Sequence, residues 1–312
     1  MTIFVGLAVV VAAATISGHA VTAPGPLAPL SGTMIDAGRG RPVVLIIPGS
    51  GPTDRDGNSP LGITAAPYRL LAEALAAKGV SSVRSDKRGM FGSKAAVADA
   101  NAVTIGDYVS DVASWVGAVH KASGAKCVWL VGHSEGGLIA LAAAQRAAGL
   151  CGVVLVAAPG VPLGQTLRAQ LRANPANAPL LPDAFRILDS LQAGVKVDVA
   201  STAPPLQRLF APRVQGYLIE LLKQRPAAMA GAVTLPLLIV AGTTDLQVPV
   251  SDAEALAKVQ PLARLAVITG MNHVLKAAPA DRAGNFATYG DPSLPVVPAL
   301  VEAIAGFVSA RR

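Results

Sequence analysis

From residue 42 onward, short apolar runs alternate with stretches whose apolar residues recur every three or four positions. Residues 42–48 (PVVLIIP) form an unbroken apolar run, the pattern of a strand covered on both faces. Residues 66–78 carry apolar side chains at helical spacing and stop at Gly79, as helices commonly do. Residues 80–85 read as a weaker strand. Over residues 107–122, Tyr108, Val112, Trp115, Val116 and Val119 recur at the helical period, which predicts an amphipathic helix. Residues 127–131 predict the next strand, residues 135–148 an Ala-rich helix and residues 153–157 another strand. This alternation predicts an α/β fold, a mostly parallel sheet with helices on both faces.

The pattern changes after residue 160. Helix-like pieces follow one another at 163–172, 182–192 and 214–224, with no convincing strand between them. Sheet character returns at 236–241 (PLLIVA) and 265–269, and helical spacing follows at 252–259 and 298–310. The expected organisation is therefore a core of residues 24–160 and 234–312, interrupted by a helical lid insertion at 161–233.

The N-terminus differs again. Residues 3–16 are apolar, the first charged residue is Asp36, and Ala20 and Ala23 offer small-residue cleavage sites. The stretch is too short for a comfortable membrane span and reads as a secretory signal over residues 1–23, although no Lys or Arg precedes it. A buried N-terminal strand or helix is the alternative. A periplasmic or secreted location is the corresponding expectation, with no stable membrane span once the signal is removed. No Cys follows closely enough for a lipid anchor.

Composition narrows the function classes. Hydrophobic residues make up 52% of the chain and charged residues only 14%, which argues against disorder. The formal net charge is +7, but no run of five basic residues occurs and aromatics are only 4%. A nucleic-acid partner is therefore not expected. Nothing in the pattern sets an oligomeric state.

The candidate chemistry begins at Gly132-His133-Ser134-Glu135-Gly136, a G-x-S-x-G elbow between a predicted strand and a predicted helix. With 31 glycines in 312 residues the bare pentapeptide is only suggestive; the strand–turn–helix context is what raises Ser134 to a nucleophile. A serine hydroxyl needs a base to take its proton. Of four histidines, His19 falls in the expected signal, His120 in the amphipathic helix, and His133 is expected to point away from the Ser134 hydroxyl. His273, in the loop after the last strand, remains as general base.

The acid that orients it should lie between Ser134 and His273 in chain order. Asp183, Asp189, Asp198, Asp245 and Asp252 qualify, but only Asp245 directly follows a convincing strand, and parallel sheets carry active residues there. Asp252 reads as the cap or first turn of the next helix. Oxyanion donors are expected from the backbone N–H groups of Glu135 and Ser50, with Gly51 the fallback for the latter. The Gly49-Ser50-Gly51 loop has no third glycine at Asp54 and no Gly-Lys-Ser/Thr, which excludes nucleotide fingerprints. Asp54-x-Asp56-x-Asn58 fails as a calcium loop, since Gly57 is misplaced and Ala65 stands where a Glu belongs. These acids are expected to make local turn hydrogen bonds instead. No metal or cofactor is called for.

Cys127 and Cys151 head consecutive predicted strands across one helix. Parallel neighbours lie about 4.8 Å apart, within the Cα range of a disulfide, and an exported protein meets an oxidising compartment. A bond between them is expected.

Several segments together resemble bacterial α/β-hydrolase esterases, the branch related to serine aminopeptidases. They are residues 49–58 (GSGPTDRDGN), Asp86-Lys87-Arg88-Gly89, the elbow at Ser134, residues 242–248 (GTTDLQV) and residues 271–276 (MNHVLK). The resemblance implies carboxylic-ester hydrolysis through an acyl-enzyme, without a cofactor, on a small-molecule ester substrate. Peptidase, amidase and thioesterase activities use the same triad and stay open, as does a non-catalytic binding protein on this fold. Residues 24–41 look too few for the usual leading strands, so a reduced first sheet edge is expected.

Overall fold

The computed structural model describes residues 17–310. Its strands are β1 (His19–Ala23), β2 (Leu30–Ile35), β3 (Val43–Ile47), β4 (Ser81–Ser85), β5 (Val128–His133), β6 (Leu150–Val156), β7 (Leu237–Gly242) and β8 (Arg264–Ile268). Helices α1 (Pro67–Ala77), α2 (Ile105–Ser123) and α3 (Glu135–Ala144) link the first parallel strands. Between β6 and β7 come α4 (Leu163–Arg172), α5 (Leu181–Gln192), α6 (Pro204–Leu209), α7 (Pro212–Lys223) and α8 (Pro226–Gly231). Then follow α9 (Val250–Val259), α10 (Arg282–Ala287) and α11 (Pro298–Ser309).

The strand order is β1-β2-β4-β3-β5-β6-β7-β8. β2 runs antiparallel to both β1 and β4, and the remaining pairs are parallel. The central parallel strands β3, β5, β6 and β7 are largely apolar because each feeds two cores. Val43, Leu45 and Ile47 of β3 belong to the core that also holds Trp115 of α2, Leu138 of α3 and Leu256 of α9. Val44 and Ile46, pointing the other way, belong to the core that also holds Leu71 of α1 and Ile304 of α11. The inserted helices have a smaller core of their own, including Ile187, Leu191, Phe210 and Leu222.

Local chemistry sets the element ends. Helix α2 starts at Ile105, two residues before the expected position, because Thr104 and Asp107 form a reciprocal capping box. It ends at Gly124 in the left-handed region. In the 54–58 loop, Asp54 accepts from the N–H groups of Asp56 and Asn58 at 2.9 and 2.8 Å, the local turn bonds expected there.

The sheet's first edge requires a correction. It is not reduced: β1 and β2 form an antiparallel pair, with Ala23 opposite Leu30. The chain achieves this by drawing on residues 19–23, which the sequence had assigned to the signal. The apolar stretch at 3–16 lies outside the described residues. Among the described residues, no helix is long and apolar enough to cross a membrane.

Chain direction places the site. From β3 the chain crosses to β4 on one side, while β5 lies on the other. Such a reversal opens a crevice at the carboxyl ends of the two strands. The Gly49-Ser50 loop leaves β3 there and Ser134 leaves β5.

Cys127 and Cys151 are joined by a disulfide, with Cα atoms 5.1 Å apart and a sequence separation of 24. In the chain-entropy account a loop of this size contributes about 3 kcal/mol. The Cys127→Ala/Cys151→Ala double variant is expected to lose about that much stability in urea unfolding. An unchanged midpoint in the double variant refutes the contribution.

Candidate active site

Ser134 stands between β5 and α3 with φ 54° and ψ −124°, a conformation that side-chain-bearing residues rarely adopt. Neighbouring contacts hold it there. Its N–H donates to the carbonyl of Val156 at 3.0 Å. A Cβ at Gly132 would sit 2.3 Å from the Gly136 carbonyl oxygen, and one at Gly136 would sit 2.2 Å from that of Ile47. Both positions therefore need glycine, and the start of α3 rests directly on the end of β3. The Gly49 position faces the serine, since a Cβ there would be 3.3 Å from Ser134 Cβ.

His273 lies in the loop after β8, which a bridge between Met271 and Ala277 closes. Its Nδ1 is 2.8 Å from Asp245 Oδ2, in the loop after β7. The other carboxylate oxygen, Asp245 Oδ1, accepts from the N–H groups of Gln247 and Val248 at 2.8 and 3.0 Å. Burial alone would raise the Asp245 carboxyl, but His273 and these N–H groups hold it below the usual carboxylate range. The loop is braced by buried Asn272, which donates to Thr288 Oγ1 at 2.7 Å and accepts from Lys276 N–H at 3.1 Å. Lys276 is fully buried and donates to the Leu294 carbonyl. Burial pulls its ammonium down to about 8, with Asp291 opposing.

His133 turns into the protein and forms a relay. Its Nε2 lies 2.9 Å from the His273 carbonyl oxygen, which can only accept, so Nε2 carries the proton. Nδ1 then accepts from the Tyr68 hydroxyl at 2.8 Å, and that oxygen accepts from Gly49 N–H at 3.0 Å. Burial and then the neighbouring His273 push the His133 imidazole down to about 3, consistent with a neutral ring.

A charged group lies beneath the Gly49-Ser50 loop. Lys87 Nζ donates to the Gly49 carbonyl at 2.7 Å and lies 3.9 Å from Glu135 Oε1. Glu135 Oε1 also accepts from the Tyr217 hydroxyl of α7 at 2.7 Å. Burial lowers the Lys87 ammonium, and Glu135 works against it. Asp252, in the first turn of α9 as expected, accepts from the N–H groups of Gly160 and Val161 at 2.7 and 3.2 Å. It holds the loop after β6 and does not touch His273.

Two cavities meet at the serine. One, of about 220 Å³, is walled by Ser134, Leu138, Leu163, Leu167, Leu221 and Val248 among others. The second, of about 120 Å³, includes Ser134, His273, Tyr68, Ile63 and Val274. Ser50 and Gln247 border both. A larger groove of about 710 Å³ lies between β1 and α2, but its lining holds no His, Asp or Glu. Among the described residues, no group of three or more His, Cys, Asp and Glu is placed to hold a metal.

Ser134, His273, Ser50 and Glu135 thus gather at one crevice, with Asp245 behind His273. Sequence reasoning missed Tyr68, Lys87, Tyr217 and Gln247. Lys87 carried a usable signal, since it follows β4 at its carboxyl end in the Asp86-Lys87-Arg88-Gly89 segment. Tyr68 and Tyr217 sit in helical patterns where an aromatic residue reads as core.

Comparison with known proteins agrees with this architecture. The esterase EstD of Thermotoga maritima is 26% identical over 243 residues, covering 75% of this chain and 54% of its own length. The chain therefore spans about half the length of that curated relative. An esterase of Pyrococcus furiosus superposes with a TM-score of 0.55 at 17% identity, over 81% of this chain and 82% of the other. Est1E from Butyrivibrio proteoclasticus gives 0.55 at 19% identity, over 93% and 100% of the two chains. A dienelactone hydrolase from Anabaena variabilis gives 0.54 at 16%, over 95% and 98%. At these identities the structural likenesses establish the α/β-hydrolase fold. The family described as serine aminopeptidase, S33 (Hydrolase_4) matches residues 61–277. The chain belongs to this serine aminopeptidase-like family of α/β-hydrolases.

Proposed function

We propose that this protein hydrolyses small carboxylic esters through an acyl-enzyme formed on Ser134. The observation that carries the reading is the pairing of His273 Nδ1 with buried Asp245 at 2.8 Å, in a loop lining the same cavity as the strained Ser134. Nδ1 is engaged, so Nε2 is the basic nitrogen. It takes the Ser134 proton as the hydroxyl attacks the ester carbonyl. The N–H groups of Ser50 and Glu135 receive the developing oxyanion, helped by the N-terminus of α3. His273 then gives its proton to the departing alcohol. Water repeats the sequence on the acyl-serine and releases the acid.

The leaving oxygen must face His273, so the cavity of about 120 Å³ takes the alcohol and the one of about 220 Å³ takes the acyl chain. The acyl side, with its Leu138, Leu163, Leu167, Leu221 and Val248 side chains, suits an apolar chain. Helices α4 and α7 act as a lid over it, since Leu163, Leu167 and Leu221 supply its apolar wall. An aminopeptidase would need a carboxylate for the substrate ammonium. Glu135 is already engaged by Tyr217 and Lys87, and Asp245 by His273, which favours esters. We place the protein in the periplasm or outside the cell, a reading favoured by the Cys127–Cys151 disulfide and testable by N-terminal sequencing of the mature protein.

A fluorophosphonate probe is expected to label Ser134, and Ser134→Ala to lower kcat on the order of 10⁶-fold without unfolding the protein. Labelling at another residue, or wild-type turnover by the Ala variant, sinks the assignment. Asp245→Asn is expected to cost on the order of 10⁴ in kcat by fixing the wrong imidazole tautomer; near-normal turnover means another carboxylate serves His273. In a series of p-nitrophenyl esters, kcat/KM is expected to rise from acetate to butyrate as the acyl chain meets the apolar wall, and to exceed that for amino-acid anilides. A preference for the anilides favours the peptidase.

A further inference from the structure

We infer that Lys87 is a positioning residue of the oxyanion site, which fixes the Gly49–Ser50 peptide so that the Ser50 N–H faces the acyl oxygen. The inference rests on the esterase reading above and extends it to a residue outside the triad. The argument begins with the peptide group itself. A trans peptide is planar, with its carbonyl and N–H on opposite sides. The Gly49 carbonyl is held by Lys87 Nζ at 2.7 Å, beneath the loop. The N–H of the same peptide belongs to Ser50 and so points the other way, toward the side on which Ser50 and Ser134 share both cavities.

This loop needs holding. Gly49 and Gly51 flank Ser50, and Gly51 already has φ +68°. Glycines let a peptide plane rotate with little steric resistance. Tyr68 fixes the plane on one side of Gly49, accepting its N–H at 3.0 Å, and Lys87 fixes the plane on the other. Without Lys87 the Gly49 carbonyl loses a buried partner and the donor geometry is no longer set.

Position also gives Lys87 an electrostatic part. Its side chain is 5% exposed, and its closest anion, Glu135 Oε1, is 3.9 Å away, much farther than the Gly49 carbonyl. Charge on a hydrogen-bonded ammonium polarises the peptide and strengthens the opposite N–H, by about 10–30% per linked bond. The residue that supplies the second oxyanion N–H, Glu135, is the one that steadies Lys87 through its side chain. The two donors are thus connected behind the site.

The test compares wild type with Lys87→Met and Lys87→Gln, the latter retaining a neutral donor. Readouts are kcat and KM on p-nitrophenyl butyrate and the inhibition constant of a trifluoromethyl ketone, which places an oxyanion in the site. Complete loss of one oxyanion donor costs about 10²–10³ in kcat. Misaiming one is expected to cost about 10–100-fold in Lys87→Met, with KM within about twofold and ketone affinity reduced in proportion to kcat/KM. Lys87→Gln is expected to recover part of both losses. Unchanged kcat, or a loss of kcat that leaves ketone affinity intact, overturns the inference. If Lys87→Met does not fold, Lys87→Gln carries the same readouts; failure of both to fold makes the role structural and also overturns it. Failure of the esterase reading looks different: wild type itself then turns over no p-nitrophenyl ester.

Discussion

The close contact between Gly136 and the carbonyl of Ile47 sets the rest of the site. No side chain fits there, so α3 can begin against the end of β3. This contact brings the proposed nucleophile, from the end of β5, beside the Gly49-Ser50 loop, from the end of β3. Neither loop could make an oxyanion site without the other. The left-handed backbone at Ser134 follows from the same crowding, because the chain must turn from strand to helix within one residue. Strain there is of order 1–3 kcal/mol, small against the apolar burial of two cores on either face of the sheet.

Much of this was legible in the sequence because the central strands are buried on both faces, leaving uninterrupted apolar runs. The run at 42–48 contains β3, and Ser134, Asp245 and His273 were singled out as candidates from their places after strands. Elements at the sheet edge were less visible. In β1 the residues His19 and Ala20 are exposed, and β2 contains Ser31, Gly32 and Thr33, so neither has the apolar density of a central strand. With β1 unrecognised, residues 19–23 were read as part of a signal. Helices α6, α8 and α10 have six residues each, too few for a period to repeat. The supporting side chains of the site were hidden for another reason. Tyr68 and Tyr217 act through their hydroxyls while their rings pack as core, and a pattern of apolar positions records only the ring.

The polar groups around the crevice form two connected lines. One runs from Gly49 through Tyr68 and His133 to the carbonyl of His273. The other runs from Gly49 through Lys87 and Glu135 to Tyr217 on α7. Gln170 of α4 adds a bond to the Gln247 carbonyl at 2.9 Å, beside the N–H group that serves Asp245. The inserted helices are therefore tied to the machinery of the core by hydrogen bonds as well as by apolar contact. Partly broken, such buried networks are costly, so these helices and the core are coupled through specific polar atoms.

The disulfide has a consequence for how the site is built into the chain. Cys127 precedes β5 and Cys151 lies in β6, so the bond encloses β5, Ser134 and all of α3. The strained turn is part of a covalent macrocycle. A protease cut anywhere between residues 128 and 150 would leave both ends attached to the same molecule. The strained turn at Ser134 is therefore one whose severed ends could not diffuse apart.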